Sequence, residues 1–502
     1  MKRKYRKNLR NSKTRIKRRL RNRGWCEQAE PMFKASNIHY ESAERGRGVN
    51  CGGIGAIHLM VKRLGLVEEL DETVQLLKRH LPYHESDHVL NIAYNALLGG
   101  LRLEDIELRR NDEVFLNTLG AQRIPDPTTS GDFTRRFDEI SIEALMEGIN
   151  RVRQRVWKKQ AKGFMEEAFI DIDGTIAQTN GKCKGGMGIS YKGIWGYGPL
   201  IVSLANTKEV LYMVNRPGNV SSHEGSVKWI DRAVQLVGPY AGRICLRGDT
   251  DFSLTENFDR WDEQGIRIIF GMDARANLVE LAEGLRARDW SELERVPSYE
   301  IATEPRAKAP RVKEGIVRQK GFKNKVLEAE SVAEFDYRPK KCKKTYRMVV
   351  VRKNISVQKG EAVLFDEIRY FFYITNRREL TQEEVVGLAN QRCDQENVIE
   401  QLKNGVNAMR MPVDELMSNW AYMVMTALAW NLKAWYGLLM PNRKRGLEIV
   451  RMEFRRFLHA IVLLPAQIIR TGRRIVYRLL SWNESMGDFF RTWERLRSMS
   501  PG

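Results

Sequence analysis

Cysteine, histidine and long apolar runs are scarce in this chain. The six cysteines among 502 residues (Cys26, Cys51, Cys183, Cys245, Cys342 and Cys393) lie far apart and form no C-x-x-C pair. That spacing excludes a small disulfide-stapled scaffold and argues against a zinc ribbon. Reduced thiols of a cytosolic protein are expected. Of the seven histidines, His80, His84 and His88 are four apart, but Pro82 interrupts the helix that would align them on a metal. The most apolar stretch, Trp420 to Trp430, is followed by Asn431 and Lys433 and is about half of the roughly 20 residues a membrane-spanning helix needs. No apolar run follows the amino-terminal charges, so no secretory signal is expected. The glycine clusters Gly52-Gly53-Ile54-Gly55 and Gly185-Gly186 lack the following Lys-Ser/Thr of a phosphate loop. No G-x-S-x-G elbow for a serine nucleophile occurs.

What is present is a folded composition with a strong positive surplus. Apolar residues make up 42% of the chain and aromatics 9%, which excludes disorder throughout and leaves room for two to four domains. The 84 Lys and Arg exceed the 63 Asp and Glu, for a net charge of +21. Residues 1–24 hold 13 of these basic residues and no acid, and Asn442 to Leu479 hold ten against two Glu. Such blocks repel themselves, so the first is expected to stay extended until it meets a polyanion, with nucleic acid the leading partner. A solubility or ribosome-contacting extension is the other reading of that tail.

Along the chain, the texture from Trp25 to about Lys159 is helical. Leu66, Val67, Leu70, Val74 and Leu77 recur with the 3.6-residue period, and a second helix is expected from the cap Ser86 to Gly99-Gly100. Short helices over Leu103 to Arg110 and Val114 to Leu119 precede the break Pro125-Asp126-Pro127. Thr129 with Asp132 then opens a helix through Phe137, and a longer one runs from about Ser141 to Val156. This suits a helix-turn-helix DNA reader and equally an ordinary helical packing domain.

From Ala168 short apolar runs take over: Ala168 to Asp173, Leu200 to Ala205, Val210 to Asn215, Ile244 to Leu246 and Ile266 to Phe270. Helical segments from Ser222 to Val237 and around Asn257 to Glu263 separate the later runs, which predicts an α/β core with a mixed sheet. Residues from Ala274 to Thr375 turn β-rich, with strands expected over Lys325–Tyr337, Tyr346–Arg352 and Glu367–Thr375. A capping box of Thr381 and Glu384 starts a helix expected to run to Lys403, and the remainder is mostly helical with breaks at Pro441 and Pro465.

Several acids stand where a sheet presents side chains. Asp171 and Asp173 alternate along one strand and so share a face. Asp249 follows the strand Arg243 to Arg247, at a carboxyl end where α/β sheets build sites. On the expected helix, Arg392, Glu396, Glu400 and Lys403 fall within about 80° of one another, which places a carboxylate between cations that can neutralise phosphate. Taken alone, the helix stripe is more readily an exposed face with i,i+4 ion pairs. Taken with the strand aspartates, the set of hard oxygen donors suits two Mg²⁺ ions and in-line phosphoryl transfer.

Through these residues the chain resembles the DDE transposases of bacterial insertion sequences, most of all the insertion-sequence 1380 family. The matching segments are Asp171-Ile-Asp-Gly-Thr175, Leu246-Arg-Gly-Asp-Thr-Asp-Phe252, Asn390-Gln-Arg-Cys-Asp-Gln-Glu-Asn397 and Leu402-Lys403-Asn-Gly405. The Tyr-x2-Arg-x3-Glu-x6-Lys signature is met at Arg392, Glu396 and Lys403, with Ala389 in place of its tyrosine. Resemblance extends to Leu81-Pro-Tyr-His-Glu-Ser-Asp87 and Leu98-Gly-Gly-Leu-Arg-Leu-Glu-Asp-Ile106, and so covers most of residues 80–410.

The resemblance implies Asp173, Asp249 and Glu396 as catalytic metal ligands, with Asp171 and Asp251 as competing choices, and Arg392 and Lys403 as phosphate contacts. It implies an RNase H-like, retroviral integrase-like catalytic core interrupted by a β-rich insertion, and two Mg²⁺ ions for which Mn²⁺ can substitute. The 75 residues between Asp173 and Asp249 and the 146 between Asp249 and Glu396 leave room for the insertion in the second gap. Trp290 in that insertion is expected either to stack on a DNA base or to lie in the core.

The implied organisation is a basic disordered tail (1–24), a helical DNA-binding domain (25–159), a catalytic core in two parts (160–273 and 376–410), the insertion (274–375), and a helical carboxy-terminal domain for dimerisation and DNA contact (411–502). The implied activity is cut-and-paste transposition on double-stranded DNA bearing terminal inverted repeats, by a homodimer in the bacterial cytoplasm at the nucleoid. A metal-dependent nuclease without joining activity, or a non-catalytic DNA-binding derivative, are the alternatives.

Overall fold

The computed structural model describes residues 3–21, 35, 38–41, 46–179, 181, 184–295, 315–316, 319–359, 362–471 and 474–500. Cys26, Cys183 and the start of the helical region at Trp25 lie outside these residues. The chain divides into two compact units, Met1–Phe164 with Thr175–Val220 and Asn397–Gly502, and Met165–Gly174 with Ser221–Glu396.

The first unit is mainly helical. Its helices Leu66–Thr73, Glu85–Leu97, Glu113–Leu119, Pro127–Thr134 and Glu139–Lys158 fall where the apolar periodicity places them. Their caps differ from the expected ones. His84, not Ser86, precedes the second helix, and Ser86 instead bonds Asp71 through its backbone N–H (2.8 Å) and hydroxyl (3.1 Å). Asp126 caps the Pro127–Thr134 helix by accepting from the Thr129 N–H at 2.8 Å, with Pro127 in the first turn, where a missing N–H is harmless.

Helix Leu416–Leu438 is buried along nearly its whole length, which explains why it is apolar on every side. Among the described residues no helix is long and apolar enough to cross a membrane. Glu209, on the hairpin Leu200–Leu204/Glu209–Val214, is fully buried and accepts from Arg153 (3.0 Å), Trp157 (2.9 Å), Thr207 (2.6 Å) and Trp435 (2.7 Å). These donors satisfy a charge that would otherwise be prohibitive to bury.

Two expectations for this unit are corrected. Residues Arg3–Arg21 of the basic block form a helix, not an extended or disordered tail. Tyr5 stacks on Phe490 at 4.8 Å and Lys13 lies 5.6 Å from the Trp482 ring, so tertiary contacts offset the self-repulsion. The stretch after Pro465, read as helical, is a hairpin of Ala466–Thr471 and Arg474–Leu479, with Gly48–Val49 as a third strand. Ala466 and Ile468 alternate inward, a period-two signal too short to stand out among the flanking arginines.

The Gly52-Gly53-Ile54-Gly55 cluster serves packing. A Cβ on Gly53 would come within 1.7 Å of the Ile461 carbonyl oxygen, and the Gly52 N–H donates to Leu464 O at 2.7 Å.

The second unit is built on a mixed sheet. Seven of its strands lie in the order Ser291–Glu292, Lys323–Tyr337, Tyr346–Lys359, Ala362–Thr375, Arg267–Met272, Arg243–Gly248 and Glu167–Gly174. The last three run parallel to one another, and every other neighbouring pair is antiparallel. Helix Ser226–Val237 leads into the strand Arg243–Gly248, and Phe258–Glu263 lies in the crossover from that strand to Arg267–Met272, the kind of connection parallel neighbours need.

The β-rich stretch expected as a separate insertion adds its strands to this same sheet: Phe372–Thr375 pair with Met272–Ile269. Its hydrophobic interior joins Val332, Val349 and Val351 to Cys245 and Ile269 of the parallel strands and to Val385 and Val386 of the following helix. One continuous core leaves no boundary for an independent domain.

The helix expected from Thr381 to Lys403 is broken. The capping box forms as read, with the Glu384 N–H donating to Thr381 Oγ1 (3.2 Å) and the Thr381 N–H to Glu384 Oε2 (2.8 Å). The helix then ends at Asn390, and a second begins at Cys393. Between them the Arg392, Asp394 and Gln395 N–H groups bond three residues back, to Ala389, Gln391 and Arg392, a tightened turn that rotates later residues off the ideal 100° wheel.

Candidate metal and phosphate site

The strand register brings the acids together. Asp171 pairs with Arg247 across the parallel strands Glu167–Gly174 and Arg243–Gly248. Two residues further on, at the carboxyl ends of both strands, come Asp173 and Asp249. The alternation that put Asp171 and Asp173 on one face also puts Arg247 and Asp249 there.

The two aspartates of the first strand have different surroundings. Asp171 is 1% exposed, and Arg247 grips both its oxygens, Nε to Oδ1 at 2.7 Å and Nη2 to Oδ2 at 2.8 Å. Arg247 also donates to the Leu388 carbonyl at 3.0 Å and lies 4.8 Å from the Phe169 ring centre. This planar fork on a buried carboxylate is a structural clamp. Arg247 has no place among the sequence-derived site residues. Its signal was an arginine inside an otherwise apolar strand, in register with a strand aspartate.

Asp173 is held differently. It takes a hydrogen bond from Arg392 Nη1 at 3.1 Å. Burial, then the neighbouring Asp249, push its carboxyl up from 3.8 to about 6, against the pull of Arg392. Burial likewise raises Asp249, with Arg392 opposing it and Asp251 adding to it. The Asp249 carboxylate accepts from the Asp251 N–H at 3.0 Å, so Asp251 contributes its backbone while its own side chain is exposed. Two partly buried carboxylates, both raised by burial and both opposed by one guanidinium, with Asp249 adding to the rise of Asp173, form a site suited to additional positive charge.

The remaining residues are less gathered. Arg392 Nη2 stands 3.9 Å from Glu396 Oε1, and the Glu396 side chain is 63% exposed. Among the described residues no three His, Cys, Asp or Glu side chains stand close enough together to hold a metal ion. The convergence is therefore of Asp173 and Asp249, with Glu396 beside Arg392. Lys403 lies in the first unit, in the turn Gln401–Gly405. Trp290 is half-buried, its ring 4.3 Å from the Arg352 guanidinium and 6.4 Å from the Tyr370 ring.

A divalent cation fits the donor set in part. Mg²⁺ is commonly bound through one or two carboxylates and retained waters, and Asp173 and Asp249 supply that pair. His80 and His84 stack ring on ring at 4.2 Å, and His88 stacks on Phe133, an arrangement of packing, not of shared ligation.

Residues 41–501 match the family model described as Transposase DDE domain group 1. No curated protein matches the chain. Among solved structures it is similar to the synaptic complex of piggyBac transposase with hairpin DNA, at 12% identity over 90% of this chain and 85% of that one, with a TM-score of 0.38. With nearly its whole length matched by that family model, the chain belongs to the group 1 DDE-domain transposases.

Proposed function

We propose that this transposase, of the insertion-sequence 1380 type, excises and joins its element by in-line phosphoryl transfer at Asp173, Asp249 and Glu396. The observation that carries the reading is the pairing of Asp173 and Asp249 at the ends of adjacent parallel strands, both partly buried and both facing Arg392. In this reading the three parallel strands and their helices are an RNase H-like core. Asp173 and Asp249 hold divalent cations, Mg²⁺ or Mn²⁺, with Glu396 completing the set. Such cations, two in this reading, lower the proton affinity of the attacking oxygen and neutralise charge on the departing one.

The chain's own residues have distinct tasks. Arg392 and Lys403 bind backbone phosphates, and the bidentate Arg247 keeps Asp171 out of the site and the first strand in place. Trp290, with one ring face against Arg352, is the candidate for stacking on a DNA base. The substrates are double-stranded terminal inverted repeats and target DNA, brought together by a homodimer in the bacterial cytoplasm, at the nucleoid.

The test is strand cleavage and joining on duplexes from the DNA flanking the coding sequence. Asp173→Asn and Asp249→Asn are expected to bind such DNA but neither cut it nor join pre-cleaved ends in Mg²⁺. Wild-type levels of cutting by Asp173→Asn would remove the assignment. Cutting without joining by the parent chain would reduce the activity to that of a nuclease.

A further inference from the structure

The helix Arg3–Arg21 carries eleven Lys or Arg in nineteen residues and no acid. Like charges three and four apart destabilise a helix, so its order needs an external cause. At 100° per residue, Tyr5, Leu9, Ser12 and Ile16 fall within about 60° of one another, and these four are the half-buried positions among its described side chains. This stripe faces helix Met486–Ser498, where Tyr5 stacks on Phe490 with planes 12° apart, and Lys13 reaches the Trp482 ring. The opposite stripe, Arg3, Lys7, Arg10, Thr14 and Arg18, is exposed.

We propose that this helix is a preformed reader of the DNA major groove, seated by its narrow apolar stripe and presenting its basic stripe to the duplex. The proposal rests on the reading of the chain as a binder of DNA ends. It goes further in naming the element and the groove. Nineteen residues at 1.5 Å each span about 28 Å, and a helix fits a major groove about 12 Å wide. Charge complementarity selects the occupant: the exposed stripe has four cations and a hydroxyl, a set made for phosphates, with Arg10 and the adjacent Asn11 able to address guanine and adenine edges. An extended polycation would grip phosphates equally well but could not hold those side chains in register with base edges.

The experiment separates helix from charge. Thr14→Pro leaves every charge in place and breaks the helix, whereas Thr14→Ala keeps both. Full-length protein is titrated, in chelator so that no chemistry occurs, onto duplex from the DNA flanking the coding sequence and onto a scrambled duplex. Thr14→Ala, which gives up one neutral hydroxyl contact and keeps charge and helix, is expected to stay within about two-fold of the parent with its preference intact, and Thr14→Pro to bind roughly ten-fold more weakly, with the preference for the flanking duplex lost. Arg3→Gln with Arg18→Gln lowers the slope of log affinity against log salt by about two. Methylation of guanine N7, which lies in the major groove, interferes with binding of the parent and not of Thr14→Pro.

Parental affinity and preference in Thr14→Pro, or indifference of the parent to N7 methylation, overturns the proposal. Because no step needs catalysis, a chain that binds in this way yet never cuts DNA upholds the helix and sinks the transfer mechanism.

Discussion

Arg392 donates to Asp173 across 3.1 Å from a turn between two helices, while its other terminal nitrogen stands 3.9 Å from Glu396. One guanidinium is thus shared by a strand acid and a helix acid far apart in the chain. It opposes the rise in proton affinity of both Asp173 and Asp249 without cancelling it.

That imbalance sets a pH dependence for the metal-free protein. The folded Asp173 carboxyl titrates at about 6 against 3.8 for the ordinary group. Its contribution to stability is full below the ordinary value and is lost as pH rises through about 6. The loss reaches about 3 kcal/mol at neutrality. Asp173→Asn carries no charge, so in chelator it should melt above the parent at pH 7.5 and converge with it near pH 4. Thermal melts across that range check this, and equal melting temperatures at pH 7.5 contradict it.

The Asp171–Arg247 clamp predicts a different phenotype for the neighbouring acid. Asp171→Ala leaves a guanidinium 2% exposed without its counter-charge, at a cost of about 3–5 kcal/mol. Replacing both partners together, with Asp171→Leu and Arg247→Met, should recover most of that. Urea unfolding midpoints for the single and double variants decide the matter. A soluble, normally stable Asp171→Ala that has lost only cleavage would instead make Asp171 a participant in the chemistry.

Gly53 has no space for a side chain. A methyl group there would sit 1.7 Å from the Ile461 carbonyl oxygen, and backbone cannot yield as a flexible side chain does. Gly53→Ala is expected to lose about 3 kcal/mol or more, seen as a lowered denaturation midpoint. Gly163→Ala, at a position with nothing nearby to meet, is the comparison that isolates crowding, although its φ of +74° adds a smaller penalty of its own.

Local signals read correctly where they are dense. The Thr381–Glu384 capping box forms with both reciprocal bonds, and each apolar run proposed as a strand between Ala168 and Phe270 lies within or beside an observed one. The readings that failed depend on distant partners. The basic block is helical because Phe490 and Trp482, near the other end of the sequence, give it a seat. The β-rich stretch continues the core sheet because Phe372 to Thr375 find an open edge on Met272 to Ile269. The long helix breaks before Cys393, at the turn from which Arg392 reaches Asp173.

The same division runs through the site. Alternation in a strand is a property of the backbone alone, so Phe169-Ile-Asp-Ile-Asp173 already places two carboxylates on one face. Nothing in that pentapeptide distinguishes them. The choice comes from the adjacent parallel strand: in its register Arg247 falls opposite Asp171 and neutralises it, whereas Asp249, just past the end of that strand, neighbours Asp173 and raises its proton affinity. Which acid is clamped and which is left responsive is a matter of long-range electrostatics in a partly buried space, where the partner's sign decides the outcome.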